Sequence, residues 1–450
     1  MARSARRRRR LRRPLPLSFA SRPGPAPGVT VSSSAVEAPA AVPPPAVPER
    51  RAVPAAVFWT VLVLGAVAGA WYVKQVVGDM GSLMHLKDLG VYQIAGQRIV
   101  DGVSVYDTPL LGNTRGVWEF VYTPFAALLF VPLAKLHGDL FTSVGAIGDF
   151  VALAVAVWAA LSMLGYRRDL RLVVFSLPLS ALLMWCEPIR ETMAFGQVNI
   201  LLMTLVLVDM ALPDSFRGKG VLTGIAAGIK LTPLFFLVYL LFTRRYRAAA
   251  VSAGSFVATI AIGFAVMPHD SKTFWSGAFA DPTRVGVPEN PQNESLRGMF
   301  ARSIGLDGGK QLLWVALAAV IALACLLLAR KLSFGRQELL AVTLCGLATT
   351  AVSPYTWVHH WVWWGALLVY LLHASLRRKA VLAWLGLLVA AVVTSGGVLM
   401  LFGSKRSSVL DFPSWNHLGV VYHNAYIWLT LALFAAVAVR LRKLTSASPR

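Results

Sequence analysis

The chain has few of the residues that hold metals and nucleotides. It carries three cysteines in 450 residues, Cys186, Cys325 and Cys345, each in an apolar stretch and none at metal-ligand spacing. They say nothing about redox compartment and read as packing residues. No Asp-x-Asp pair, no HxxxH spacing and no glycine-rich nucleotide loop occurs, so nothing points to a metal-held nucleotide sugar. Acids are scarce too, 21 Asp and Glu against 43 Lys and Arg, and only 14% of residues are charged. What is abundant is apolar surface: 56% of residues are hydrophobic and the mean hydropathy is +0.62. A soluble domain of this length cannot bury that much, so the chain reads as a polytopic membrane protein.

Apolar runs of bilayer length, about 20 residues, begin near Val57, Gly145, Val221, Ala248, Gln311, Ala380 and Asn424. Shorter runs at 120–136, 172–186, 198–212, 338–352 and 361–373 are too brief or too proline-broken for plain spans. The expectation is an all-α polytopic fold with about 10–12 membrane segments, several short or re-entrant, and a large first extracytoplasmic loop. Non-helical backbone at membrane depth survives only where protein or a wet cavity satisfies it, so the interruptions predict an internal polar site.

The formal charge of +22 resembles a nucleic-acid signature until it is located. Residues 1–51 hold eleven arginines against Glu37 and Glu49, in a run that continues into Pro43-Pro44-Pro45. Residues 1–53 cannot build a core and read as a disordered basic tail, not a cleavable signal peptide, because no apolar h-region follows the arginines. Contact with anionic lipid is an alternative use of that charge. No nucleic-acid partner is expected. Most other positive charge sits in short loops, at Arg167-Arg168, Arg217 with Lys219, Arg244-Arg245, Arg330-Lys331, Arg377-Arg378 and Arg440 with Arg442. By the positive-inside rule these loops face the cytoplasm, as do the N-terminus and the tail 442–450, leaving 54–441 as the multi-spanning domain. Loops 75–119, 187–197, 268–310, 353–360 and 402–423 then face outward. Parity requires 120–136, broken by Pro124 and Pro132, and 221–242, broken by Lys230 and Pro233, to enter and leave on one side.

The informative polar clusters all fall on that outward side or at membrane breaks. Asp88, just past the first span, is either a solvated loop acid or a catalytic base; Tyr92, Gly96 and Tyr122 near it suit contact with a sugar ring. Glu187-Pro188-Ile189-Arg190 and Gly196-Gln197-Val198-Asn199 put charges and amides at the mouth of a short span, as a pathway lining or as a structural ion pair. Lys230 stands inside an apolar segment, where insertion costs about 2.5–3.5 kcal/mol. A buried lysine needs an anion, and a lipid phosphate fits. Trp357, His359 and His360 sit among aromatics; neighbouring helical residues point about 100° apart, a poor metal grip, and phosphate donation is the better functional reading. Asn293 and Arg297 add an amide and a guanidinium suited to sugar hydroxyls or a phosphate.

These clusters fit one reaction. A sugar on a polyprenyl phosphate would be attacked at its anomeric carbon by an acceptor hydroxyl, with Asp88 as general base and Lys230, His359, His360 or Arg297 meeting the leaving phosphate. Glu187, Arg190, Gln197, Asn199, Asn293, Trp357, Tyr92 and Tyr122 would contact the sugars. No cofactor is expected, and no metal.

Taken together, Asp88-Leu89-Gly90-Val91-Tyr92, Val121-Tyr122-Thr123-Pro124, Gly196-Gln197-Val198-Asn199, Gly228-Ile229-Lys230-Leu231-Thr232-Pro233, Asn293-Glu294-Ser295-Leu296-Arg297-Gly298 and Ser353-Pro354 through His359-His360-Trp361 resemble glycosyltransferase family 87. The likeness runs in order from about residue 55 to 440. It implies a GT-C type fold in the cell membrane and a periplasm-facing site. It also implies α-(1→2) transfer of mannose from polyprenyl-phosphate-mannose to a phosphatidylinositol mannoside or lipomannan, with membrane lipids as partners. The family's first-loop acid falls on Asp88 and its histidine pair on His359 and His360. Where the family commonly has Tyr-Pro-Pro, this chain has Tyr122-Thr123-Pro124, and the arginine-rich N-terminus is not a family hallmark. Alternatives are a GT-C enzyme using another polyprenyl-linked sugar such as arabinose, and a lipid or sugar transporter; no internal repeat supports the latter.

Overall fold

The computed structural model describes residues 50–113, 116–378, 380–396 and 424–446. Most of the expected basic tail, the loop 402–423 and the last four residues lie outside them. The chain runs through α1 (Ala55–Gly78), α2 (Met80–Leu83) and α3 (Lys87–Val100), then a two-strand antiparallel ribbon, β1 (Leu111–Asn113) with β2 (Gly116–Trp118). Helices α4 (Pro124–Phe130), α5 (Gly138–Met163), α6 (Leu170–Leu183), α7 (Glu187–Phe195) and α8 (Asn199–Ala211) follow. Next come α9 (Val221–Ile229), α10 (Leu234–Phe242), α11 (Tyr246–Val266), α12 (Pro268–Ser276) and α13 (Leu296–Ser303). The last are α14 (Lys310–Phe334), α15 (Glu338–Val352), α16 (Trp363–Arg378), α17 (Val381–Thr394) and α18 (Ala425–Ser446). The fold is helical; among the described residues its β pairings are the small ribbon in the first loop and one isolated bridge between Arg51 and Tyr166.

Among the described residues five helices, α1, α5, α11, α14 and α18, are long and apolar enough to cross a membrane, and a sixth span arises if α6 and α7 count as one segment bent by 92°. The remaining apolar segments are short helices such as α8, α15 and α17, in line with the expectation that several segments are short or broken. At about 1.5 Å per residue, the nine-residue α9 and α10 reach about 14 Å each, half of a hydrocarbon core. The break between them falls where Lys230 and Pro233 predicted it. Outward side chains such as Val67, Leu312 and Leu382 are left exposed, as expected where lipid is the solvent.

One boundary also moves. Arg51, expected in the disordered tail, pairs with Tyr166: its N–H donates to Gly165 O at 3.0 Å and its carbonyl accepts from Arg167 N at 2.8 Å. Backbone pairing with the α5–α6 turn orders residues 50–53 despite their composition. At the other end α18 continues as helix to Ser446, past the expected boundary at 441.

The buried centre is α5 against α8 and α6, with α15 packed between α14 and α16. Tyr92, Phe120, Phe236, Tyr239, Trp361 and Tyr426 are its largest fully buried side chains. Small residues let the helices approach. A Cβ on Gly96 would meet Phe130 O at 2.4 Å, so the α3–α4 contact requires a glycine there. Gly96 thus packs against backbone and takes no part in approaching a sugar.

Candidate active site

The site is built where four chain breaks meet. Leu86, in left-handed backbone at φ 49°, starts α3, and its N–H donates to Ala194 O at 2.8 Å, docking that start on the end of α7. This places Asp88 in the first turn of α3, where the helix dipole favours an anion, 8% exposed. Gly196, at φ 65°, ends α7; a Cβ there would meet Leu89 Cβ at 2.7 Å, so only glycine permits the turn that delivers Gln197.

Gln197 Nε2 donates to Asp88 Oδ2 at 2.7 Å. Gln197 Oε1 in turn accepts from Tyr122 OH at 2.9 Å and from Val198 N at 3.1 Å. Tyr92 OH donates to Tyr122 OH at 2.8 Å, and the Tyr92 ring stacks on Phe130 at 4.3 Å. Burial pushes the Asp88 carboxyl up to about 6; the Gln197 bond and the charges of Lys230 and Lys87 pull the other way.

Lys230 leaves α9 in extended backbone. Its Nζ lies 5.4 Å from the Tyr122 ring centroid, 3.1 Å from Asn199 Oδ1 and 3.1 Å from His360 Nε2. His360 belongs to a 3-10 turn, Val358–His360, and its Nδ1 accepts from Trp357 N at 3.2 Å. Thr192 Oγ1 and Asn199 Nδ2 donate to His359 O at 3.0 and 3.1 Å, fastening that turn to α7 and α8. His359 itself is buried, with neither ring nitrogen hydrogen-bonded, between Phe195 (5.3 Å) and the His360 ring (4.8 Å). Trp357 lies over it at 6.3 Å.

Beside Lys230 a cavity of about 70 Å³ opens between α8, α10, α15 and the histidine turn. Lys230, Asn199 and His360 form its polar end, and Leu202, Met203, Val206, Phe236 and Trp363 its apolar walls. Thr232, Thr349, Thr350 and Ser353 add hydroxyls that sequence reasoning did not single out. The signal was present: three hydroxyls at the end of a fifteen-residue apolar helix.

The structure thus brings together Asp88, Tyr92, Tyr122, Gln197, Asn199, Lys230, Trp357, His359 and His360. It leaves the other candidates elsewhere. Asn293 spends its amide on bracing its loop to Thr356, accepting from Ser295 N and Thr356 N and donating to Pro288 O at 3.0 Å. Glu187, fully buried, accepts from Tyr426 OH at 2.8 Å, and Arg190 donates to Ser395 O at 3.1 Å, so both tie α7 to the last helices. Arg297 lies on Trp314 in α14, 5.7 Å from the ring centroid, and takes no place around the cavity. Among the described residues no group of three or more His, Cys, Asp or Glu could hold a metal ion.

A multi-spanning helical chain whose polar groups converge at the broken ends of short apolar helices has the architecture of a GT-C type membrane glycosyltransferase. Glycosyltransferase family 87 matches residues 120–354. A polyprenol-phosphate-mannose-dependent alpha-(1-2)-phosphatidylinositol mannoside mannosyltransferase of Mycobacterium tuberculosis is 30% identical over 396 residues, 85% of this chain and 91% of that one. Its Mycolicibacterium smegmatis counterpart is 29% identical over 403 residues, 85% and 89% of the two chains. A pentamannoside mannosyltransferase of the latter organism is 34% identical over 309 residues, 66% of this chain and 72% of its own. No solved structure matches the chain. The chain belongs to glycosyltransferase family 87, and it is an enzyme. Asp88, His359 and His360 lie outside the matched 120–354, while Gln197, Asn199 and Lys230 lie within it.

Proposed function

We propose that this enzyme transfers mannose from polyprenyl-phosphate-mannose to a phosphatidylinositol mannoside, forming an α-(1→2) linkage with inversion. The activities named for the mycobacterial relatives support the donor and acceptor class. Lipomannan is the second acceptor of the same chemistry. The arginine-rich loops support an outward-facing site and a cytoplasmic N-terminus.

One observation carries the reading: the Tyr122 hydroxyl holds the amide that clamps a buried carboxylate, and its ring faces a lysine–histidine pair that opens on an apolar-walled cavity. With His360 Nδ1 accepting the Trp357 N–H, the neutral ring carries its proton on Nε2. Nε2–H and the Lys230 ammonium then point donors at one another. An anionic oxygen between them satisfies both, which is what a donor phosphate provides.

In the reaction the acceptor hydroxyl loses its proton to Asp88 as its oxygen bonds to the anomeric carbon. The bond from that carbon to the phosphate oxygen breaks, and the electron pair leaves on the polyprenyl phosphate. Lys230 and His360 meet the charge that gathers there, in a buried setting where such contacts count most. The scheme calls for no metal ion and no nucleotide. Gln197, read from sequence as a sugar contact, instead holds the base, and Asn199 braces Lys230 against the histidine turn.

The test is transfer of radiolabelled mannose from synthetic polyprenyl-phosphate-mannose to a mannosylated phosphatidylinositol by purified protein, with Asp88→Asn beside wild type. Transfer by wild type alone supports the reading. Undiminished transfer by a folded Asp88→Asn protein removes Asp88 as base, and no transfer by either removes the donor or acceptor.

A further inference from the structure

We propose that Arg297 and Trp314 form a second anion site that takes the phosphodiester of the lipid acceptor, separate from the donor-phosphate pair Lys230–His360. The inference rests on the acceptor class proposed above and deepens it.

The observation is an unspent arginine. Among the described residues of the outward loops, Arg98 donates to Ser104, Thr108 and Pro109 carbonyls, Arg284 pairs with Glu119 at 2.8 Å, and Arg302 donates to Asn290 and Asn293 carbonyls and to Asn424 Oδ1. Arg297 is different. It is half-buried, its Nη1 is sealed from solvent with no hydrogen-bond partner, it lies on the face of Trp314, and the charge of Glu289 reaches it without a hydrogen bond. The Trp314 indole N–H is likewise buried without an acceptor. A guanidinium taken partly out of water needs a counter-charge, and a sealed N–H needs an acceptor, because leaving either unpaired costs more than a typical hydrogen bond returns. Here two donors adjoin and no acceptor serves them.

Position selects the ligand. Arg297 starts α13, and Trp314 sits four residues into α14, a membrane-crossing helix that begins at Lys310. Four residues correspond to about 6 Å of helix, the depth of the headgroup layer where tryptophans gather. The exposed neighbours Leu312 (73%) and Leu313 (55%) face lipid there. A lipid with its chains in the bilayer presents its phosphodiester at that level, and a planar guanidinium on an aromatic face is built for it. The donor's phosphate already has Lys230 and His360. An acceptor carrying its own phosphodiester needs another cation, and among the described outward arginines Arg297 is the one that donates no hydrogen bond to a carbonyl or carboxylate.

The test compares two acceptors with saturating polyprenyl-phosphate-mannose: a mannosylated phosphatidylinositol and an alkyl mannoside that has no phosphate. Arg297→Gln raises KM for the phospholipid acceptor about tenfold, the size of one charge-assisted hydrogen bond. It leaves kcat, the donor KM and the alkyl mannoside KM within about twofold. Arg297→Lys, which keeps the charge, falls between, and Trp314→Phe, which keeps the ring but removes the N–H, gives a smaller rise. Equal loss on both acceptors, or a raised donor KM, overturns the proposal. Native mass spectrometry of the protein with phosphatidylinositol, phosphatidylglycerol or diacylglycerol needs no turnover, so it separates this proposal from the transfer reading. Retention of phosphatidylinositol above the other two, lost in Arg297→Gln, supports an acceptor site. Equal retention of both phospholipids overturns the acceptor assignment in favour of bulk lipid, and retention unchanged in the variant overturns the site.

Discussion

Gln197 Nε2 holds Asp88 Oδ2 at 2.7 Å, and the amide cannot turn round, because Tyr122 OH and Val198 N–H both donate to its oxygen. One carboxylate oxygen is thereby occupied and the other is left for a proton. The chain Tyr92, Tyr122, Gln197, Asp88 links α3, the segment before α4 and the turn after α7 through side chains alone.

Replacing Asp88 by Asn keeps shape and removes basicity. The expected outcome is a fall in kcat of about 10²–10⁴ with donor KM little changed, measured by mannosyl transfer on protein whose thermal unfolding matches wild type.

Because burial raises the Asp88 carboxyl to about 6, and the base of the proposed mechanism acts ionised, kcat/KM should climb about tenfold per pH unit below that value and level off above it. The Gln197 N–H favours the carboxylate, so Gln197→Leu moves the rise to higher pH. Tyr122→Phe, which frees the amide to rotate, shifts it the same way by less. A pH profile identical in all three proteins would separate the clamp from the base.

Lys230→Gln is expected to lower kcat by about 10²–10³, the usual cost of one lost contact to a developing negative charge. His360→Ala should lose less once Lys230 is already gone than it does alone, since the two groups lie 3.1 Å apart and in the proposed mechanism meet the same phosphate oxygen. A double-mutant cycle on kcat measures this, and strict additivity would place the residues in separate roles.

Gly96→Ala drives a methyl into Phe130 O, whereas a Cβ on Gly90, six residues earlier on the same helix, meets nothing within 4 Å. The first variant should lose about 1–3 kcal/mol of stability and the second nearly none, read as unfolding midpoints in detergent. Equal midpoints would mean that α3 does not pack on α4 as described.

Asn293→Ala removes both acceptor and donor of an amide that knits residues 288–295 to Thr356. The expected effect is a stability loss of about 1–3 kcal/mol with KM values for donor and acceptor unmoved, the signature of a loop brace.

Composition and hydropathy alone determined that this is a polytopic helical membrane protein, because apolar runs of bilayer length leave no soluble alternative. Local chain chemistry located its breaks: Lys230 before Pro233, Gly196 after a short amphipathic helix, and the Ser353-Pro354 stop each interrupt helix by rules that act within a few residues. Asp88 and the lysine–histidine groups were legible for the same reason, as charges and imidazoles stand out in an apolar chain. Tertiary structure decided which polar groups share a chamber. Gln197 and Asp88 lie 109 positions apart, and Lys230 and His360 lie 130 apart. Arg297, with the same sequence credentials as Lys230, went to Trp314 instead. No local pattern encodes such pairings, because they arise only when distant helices pack and bring donors and acceptors from remote parts of the chain together.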